Sequence, residues 1–264
     1  KICFLNVCNY GSTGNIVRQL ADIASSRGHK TLVVYPDSNK KKPVCCDDYI
    51  MESHRYQYIS GELSAFSGFD CCFAFSATRR LLKKLDEFQP DIIHLHNIHG
   101  WYVNIIMLFR YIKKHKIKIV WTLHDCWAFT GHCPHFQENN CKKWKTGCYA
   151  CELHRNYPKS YLDNSTWMYR IKKACFTGVE NLTIVTPSKW LATLVKESFL
   201  GNYPIQVIHN GIDLSVFFPR PSDFRAKHRL ENKKVILGVA SQWNHKKGLD
   251  VFISLSQCLP EDYR

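Results

Sequence analysis

No apolar run in this sequence approaches the roughly 18 residues that a membrane-crossing helix needs. A secretory segment is lacking too: Lys1–Val7 is too short for one and reads as a strand. The first residue is Lys rather than Met, so residues are expected to precede it. There is no Gly-x-Gly-x-x-Gly, and no acidic residue closes the second strand, which counts against a dinucleotide site. Internal repeats and low-complexity tracts are absent. Acidic residues are scarce: 22 Asp+Glu face 36 Lys+Arg, a net charge of +14. Such an excess suits anionic partners (nucleic acid, acidic lipid or a phosphorylated substrate) or is a generally basic surface.

What is present is an ordinary folding composition. At 45% hydrophobic and 22% charged, the 264 residues can build one large α/β domain, or one domain and part of another. The thirteen cysteines are odd in number and follow no signal sequence, which argues against a disulfide framework. Cys45-Cys46 and Cys71-Cys72 are adjacent pairs, awkward for cross-links. Most cysteines are expected to be small buried apolar residues in a reducing cytoplasm.

Apolar runs alternate with helical patterns. The strand candidates are 2–7, 31–35, 91–95, 117–123, 182–186, 205–208 and 235–239. Helices are expected over 15–27, 77–88, 103–115, 166–176, 189–199 and 249–259. Several strands are apolar throughout, as strands buried on both faces should be. The alternation predicts a doubly wound parallel sheet with right-handed crossovers. Gly28 suits the end of the first helix, Pro90 the end of the 77–88 helix, and Ser188 the cap of the 189–199 helix. Residues 126–158 form a cysteine-rich insertion within a domain of 1–215. Residues 216–232 read as a linker, and 233–264 as the start of a second domain that needs more chain to form a core.

Five segments carry chemistry. The first βα turn, Asn9–Asn15, places Gly11 and Gly14 where backbone N–H groups can approach an anion, or is a plain tight turn. At the carboxyl end of the third predicted strand stand His94, His96, Asn97 and His99. His94 and His96 share a face and can pair on a metal, bind sugar hydroxyls, or line a crevice as satisfied imidazoles. The next strand ends in His124-Asp125-Cys126-Trp127, where imidazole can meet a sugar hydroxyl and the indole can stack on a sugar ring. Cys133, Cys141, Cys148 and Cys151 include one Cys-x-x-Cys knuckle and suit a structural tetrahedral Zn²⁺. Cys126, His132 and His135 are substitutes, and free thiols or one disulfide are the alternatives. Finally, Lys246 and Lys247 precede a helix, where lysine and the helix dipole can clamp a diphosphate, or simply sit in a solvated loop.

Taken in order, Asn9–Gly14, Pro90–Gly100, Thr122–Cys133, Val185–Leu191, Val207–Asp213 with Phe217-Phe218-Pro219, and Lys247–Asp250 resemble the retaining glycosyltransferases of family GT4. Within it they resemble enzymes of bacterial colanic acid, capsule or exopolysaccharide assembly. The resemblance covers essentially the whole chain. It implies a GT-B fold: a Rossmann-like N-terminal domain that binds acceptor, facing a second that binds the nucleotide sugar. By position it puts Gly14 near the donor diphosphate, His124 on the transferred sugar and Lys247 on the diphosphate, with Asp125 a positioning candidate. Transfer would retain anomeric configuration without a catalytic divalent metal. The acceptor would be a glycan or a lipid-diphosphate-linked glycan, met in the cytoplasm or at the inner face of an anionic membrane. Two features depart from the family. Ser241-Gln242-Trp243 stands where an arginine is common, and the paired donor-binding glutamates are expected beyond Arg264, so 264 residues alone are expected to be inactive. The rivals are a basic zinc-containing nucleic-acid module and a non-catalytic scaffold domain; the spread of the lysines and the lack of any nucleic-acid motif count against the first.

Overall fold

Seven parallel strands form one sheet in the order β3-β2-β1-β4-β5-β6-β7. The strands are β1 (Ile2–Leu5), β2 (Thr31–Tyr35), β3 (Asp47–Ile50), β4 (Ile92–Leu95), β5 (Lys118–Thr122), β6 (Leu182–Thr186) and β7 (Ile205–Val207). The computed structural model describes residues 1–43, 46–51, 53–240 and 243–264, without the side chains of Glu138 and Lys246. Cys45 and the Ser241-Gln242 part of the departure noted above therefore lie outside the described residues. The chain divides into two compact units, Lys1–Gly211 and Ile212–Arg264.

In the first unit, burial on both faces explains the apolar strands. All five residues of β2 are buried, as are Cys3, Phe4 and Leu5 of β1. The helices α1 (Gly11–Ser26), α2 (His54–Ser67), α3 (Phe75–Phe88), α4 (Ile105–His115), α5 (Ser165–Phe176) and α6 (Lys189–Lys196) cover the sheet. Helix α3 buries Ala77, Leu81, Leu85 and Phe88, a stripe at helical spacing, and turns its lysines outward. Gln89, at φ 52°, ends it before Pro90. Ser188 caps α6 by accepting from the Leu191 N–H at 3.2 Å, as expected.

Three elements differ from the sequence reading. Helix α2 occupies a stretch where no helix was expected, because its buried positions are Ser60, Gly61 and Ser64, which give no apolar stripe. Strand β3 was not expected: it is a polar, mostly exposed edge strand, paired only to β2. Residues 235–239 form no strand; the described backbone there makes one isolated bridge, Lys234 to Tyr263. Apolar sequence becomes strand only where a neighbour supplies the ladder. The second unit holds short α7 (Phe224–Lys227) and α8 (Leu249–Cys258).

Candidate functional site

The strand order reverses between β1 and β4, so the loops after these strands diverge and open a crevice at their carboxyl ends. Asn6, immediately after β1, ties the two loops. Its Oδ1 accepts from the Asn97 N–H at 3.1 Å, while its Nδ2 donates to the Cys8 carbonyl at 2.7 Å and to Thr13 Oγ1 at 3.3 Å. Gly11, at φ 68°, opens α1. Gly14 is required by packing: a Cβ there would stand 2.6 Å from the Asn9 carbonyl carbon. The first turn of α1 therefore lies tight on its own loop, beside Asn97.

Strands β4 and β5 are neighbours in register, and this brings the histidines together. His94 and His96 stack with ring centroids 4.3 Å apart. His94 Nε2 lies 2.8 Å from Thr122 Oγ1, and His96 Nδ1 lies 3.0 Å from His124 Nε2. Burial holds His94 down at about 4, with His124 adding to the shift. His96 lies well below its ordinary value for the same leading reason, and His124 is lowered as well, again chiefly by burial. All three are neutral imidazoles at pH 7 and can hydrogen-bond without carrying charge. His99 Nε2 meets Asp125 Oδ2 at 2.9 Å. Burial pushes the Asp125 carboxyl up, but His99 and the Trp127 N–H outweigh it, so Asp125 stays low and ionised.

Two expected sugar contacts take other roles. Trp127 is only 1% exposed and offers no free stacking face. Its indole N–H donates to Asp70 Oδ2 at 2.7 Å, and its ring lies between His99 and the Lys172 ammonium, 3.6 Å from the centroid. His96, also 1% exposed, reaches the crevice through His124. Residues that sequence reasoning missed stand behind the site. Lys172 is fully buried and donates to the Trp127 and Thr130 carbonyls at 2.9 and 3.1 Å, fixing the turn that follows Asp125. Asn6 carried a usable signal, a polar residue ending an apolar strand. Asp70 and Lys172 carried none, being joined only by the fold.

Cys133, Cys141, Cys148 and Cys151 line one cavity of about 270 Å³ with His132 and Trp144. Their arrangement does not fit the expected Zn²⁺: among the described residues, no three His, Cys, Asp or Glu side chains are grouped to hold a metal ion. The thiols are engaged locally instead. Cys148 Sγ accepts from the Gly131 N–H at 3.1 Å. Cys133 and Cys151 share a hydrogen bond that raises the first thiol and lowers the second. His94 and His96 spend one ring nitrogen each on Thr122 and His124, and among the described residues they join no group of three or more side chains able to hold a metal.

In the second unit, Asn244 caps the turn before α8, accepting from the Lys247 N–H at 3.1 Å. Lys247 is exposed, and the Lys246 side chain lies outside the described residues.

The chain is 32% identical over 133 residues to the "Putative colanic acid biosynthesis glycosyl transferase WcaC" of Escherichia coli (strain K12), covering 48% of this chain and 32% of that protein. It is 24% identical over 251 residues to a "Glycogen synthase" of Streptococcus sanguinis (strain SK36), covering 81% and 48%. The chain thus spans at most about half the length of these relatives. Among solved structures, sucrose-phosphate synthase from Thermosynechococcus elongatus superposes with TM-score 0.57 at 12% identity, over 98% of this chain and 60% of that one. Anabaena Alr3699/HepE, solved in complex with UDP and glucose, gives 0.55 at 16%, over 99% and 59%. These likenesses show the Rossmann-like fold. The description Glycosyltransferase Family 4 matches residues 13–216, most of the chain, and the chain belongs to that family.

Proposed function

We propose that this chain is the acceptor-side part of a glycosyltransferase that moves a sugar from a nucleotide-sugar donor to a glycan, with retention, in surface polysaccharide assembly. The observation that carries the reading is the convergence of His124, the His99–Asp125 pair and Asn97 at the strand-order reversal, beside the N-terminus of α1. In this reading residues 1–215 hold the acceptor, 216–232 connect, and 233–264 begin the donor side. His124, neutral and braced by His96, orients sugar hydroxyls. Asp125 stays ionised and fixes His99, whose ring meets the acceptor. The α1 N-terminus near Gly11 and Gly14 offsets the negative charge developing on the leaving diphosphate, which is electrostatic stabilisation without proton transfer. The acceptor is a lipid-diphosphate-linked glycan presented at an anionic membrane, which suits a net charge of +14.

The test is a titration of the 264-residue chain with a water-soluble, short-chain lipid-diphosphate glycan, followed by backbone amide resonances. Shifts concentrated at residues 94–99 and 124–127, and abolished by His124→Ala, are expected. Saturating acceptor that leaves those amides unmoved would overturn the assignment.

A further inference from the structure

Helix α2 is packed with its small side inward. Ser60, Gly61 and Ser64 are buried, whereas Tyr58, Ile59, Leu63 and Phe66 are 61, 51, 48 and 69% exposed. Positions 59, 63 and 66 make one stripe at helical spacing. The inner face is fixed by Trp101, whose ring would lie 2.9 Å from a Cβ at position 61, so only a small residue passes there. The apolar stripe therefore cannot rotate inward.

The stripe continues onto the segment before α5. The Tyr161 N–H donates to the Ala65 carbonyl at 2.7 Å, and Asn164 Nδ2 donates to the Ser67 carbonyl at 2.7 Å. This sets Tyr161 and Leu162, 56 and 52% exposed, at the end of α2 that carries Phe66, and Trp167, 55% exposed, follows in the first turn of α5. Each aromatic ring is paired with a cation: Lys159 Nζ lies 4.8 Å from the Tyr161 ring and the Arg170 guanidinium 5.0 Å from the Trp167 ring. Arg55 adds a third cation on α2. The acidic groups nearby are Glu62, bonded to Tyr58, and Asp163, which accepts from the Cys151 and Ser165 N–H groups. Aromatic bodies with basic heads beside an aliphatic stripe are the composition that seats a protein in the headgroup layer.

We propose that the outer face of α2, with the 159–170 segment, docks on an anionic lipid bilayer. Helix α2 also borders the crevice, since Gln57 Nε2 donates to the Gly100 carbonyl at 2.7 Å. Docking there would bring a membrane-borne acceptor beside His99; that consequence rests on the transferase reading, whereas the docking itself does not.

The experiment is sedimentation of the 264-residue chain with phosphatidylcholine vesicles, with and without phosphatidylglycerol. Binding only to the anionic vesicles is expected. Leu63→Ser with Phe66→Ser should weaken it about tenfold, and so should Lys159→Glu with Arg170→Glu, while Lys196→Glu on α6 leaves it unchanged. All these positions are exposed, and matching thermal melts confirm that the variants fold. No vesicle binding, or equal loss in every variant, would overturn the proposal. So would a wild-type dimer that the Leu63→Ser, Phe66→Ser pair dissolves, since a second copy would then cover the face. Vesicle binding without binding of the soluble acceptor would refute the transferase reading and leave this surface standing.

Discussion

Replacing Lys172 by Met tests whether the buried support behind Asp125 is organised as described. The ammonium donates to two carbonyls, Trp127 at 2.9 Å and Thr130 at 3.1 Å, and lies against the Trp127 ring. Burial lowers its pKa to about 8, with Asp70 opposing the shift, so it remains charged at neutral pH. Met keeps the chain out to Cε and removes the charged nitrogen. Two charge-assisted bonds go, each worth about 1.5–3 kcal/mol, and the carbonyls lose a donor. Asp70, 5% exposed, also loses its neighbouring cation. Met relieves in return the desolvation that the lowered pKa records. Removing one partner of a buried charged pair leaves a net cost of about 3 kcal/mol. The assay is urea unfolding followed by far-UV circular dichroism, on Lys172→Met, Asp70→Asn and the double variant. The double variant should be at least about 1 kcal/mol more stable than the sum of the singles predicts, because the two act through Trp127. A Lys172→Met chain within about 1 kcal/mol of wild type, or strictly additive singles, would refute the argument.

Other outcomes follow from the site. His94 has its pKa lowered to about 4 from 6.5, so between these values the unfolded chain binds the extra proton. Stability is then full above pH 6.5 and lost as pH falls towards 4, by about 3 kcal/mol, and unfolding titrations should show His94→Gln flattening that slope. Gly14→Ala should cost about 2 kcal/mol or more in thermal unfolding, because the added Cβ meets backbone rather than a movable side chain. His99→Asn should lower the melting temperature, because Asp125 keeps its buried charge without the partner 2.9 Å away, and should weaken binding of the soluble acceptor about tenfold by calorimetry.

The lesson about legibility lies in which residues pack against which. Apolar runs at β1, β2 and β6 announced a sheet buried on both faces, and the alternation with helices required parallel strands. Histidines placed just past apolar strands marked the crevice, since parallel α/β sheets expose their carboxyl ends there. Sequence alone thus determined the fold class and the edge of the sheet at which the histidines gather. Tertiary structure decided the roles. His96 braces His124 only because β4 and β5 are adjacent in register. Trp127, which looked like a platform for sugar, is consumed by Asp70 and Lys172, far from it in sequence and meeting it only in the core. The cysteines reached one cavity without the geometry of a metal site. Helix α2 stayed hidden because Trp101 demands small residues on its inner face and leaves the apolar ones outside. Periodicity reports which residues are apolar; only packing decides which side of a helix is covered.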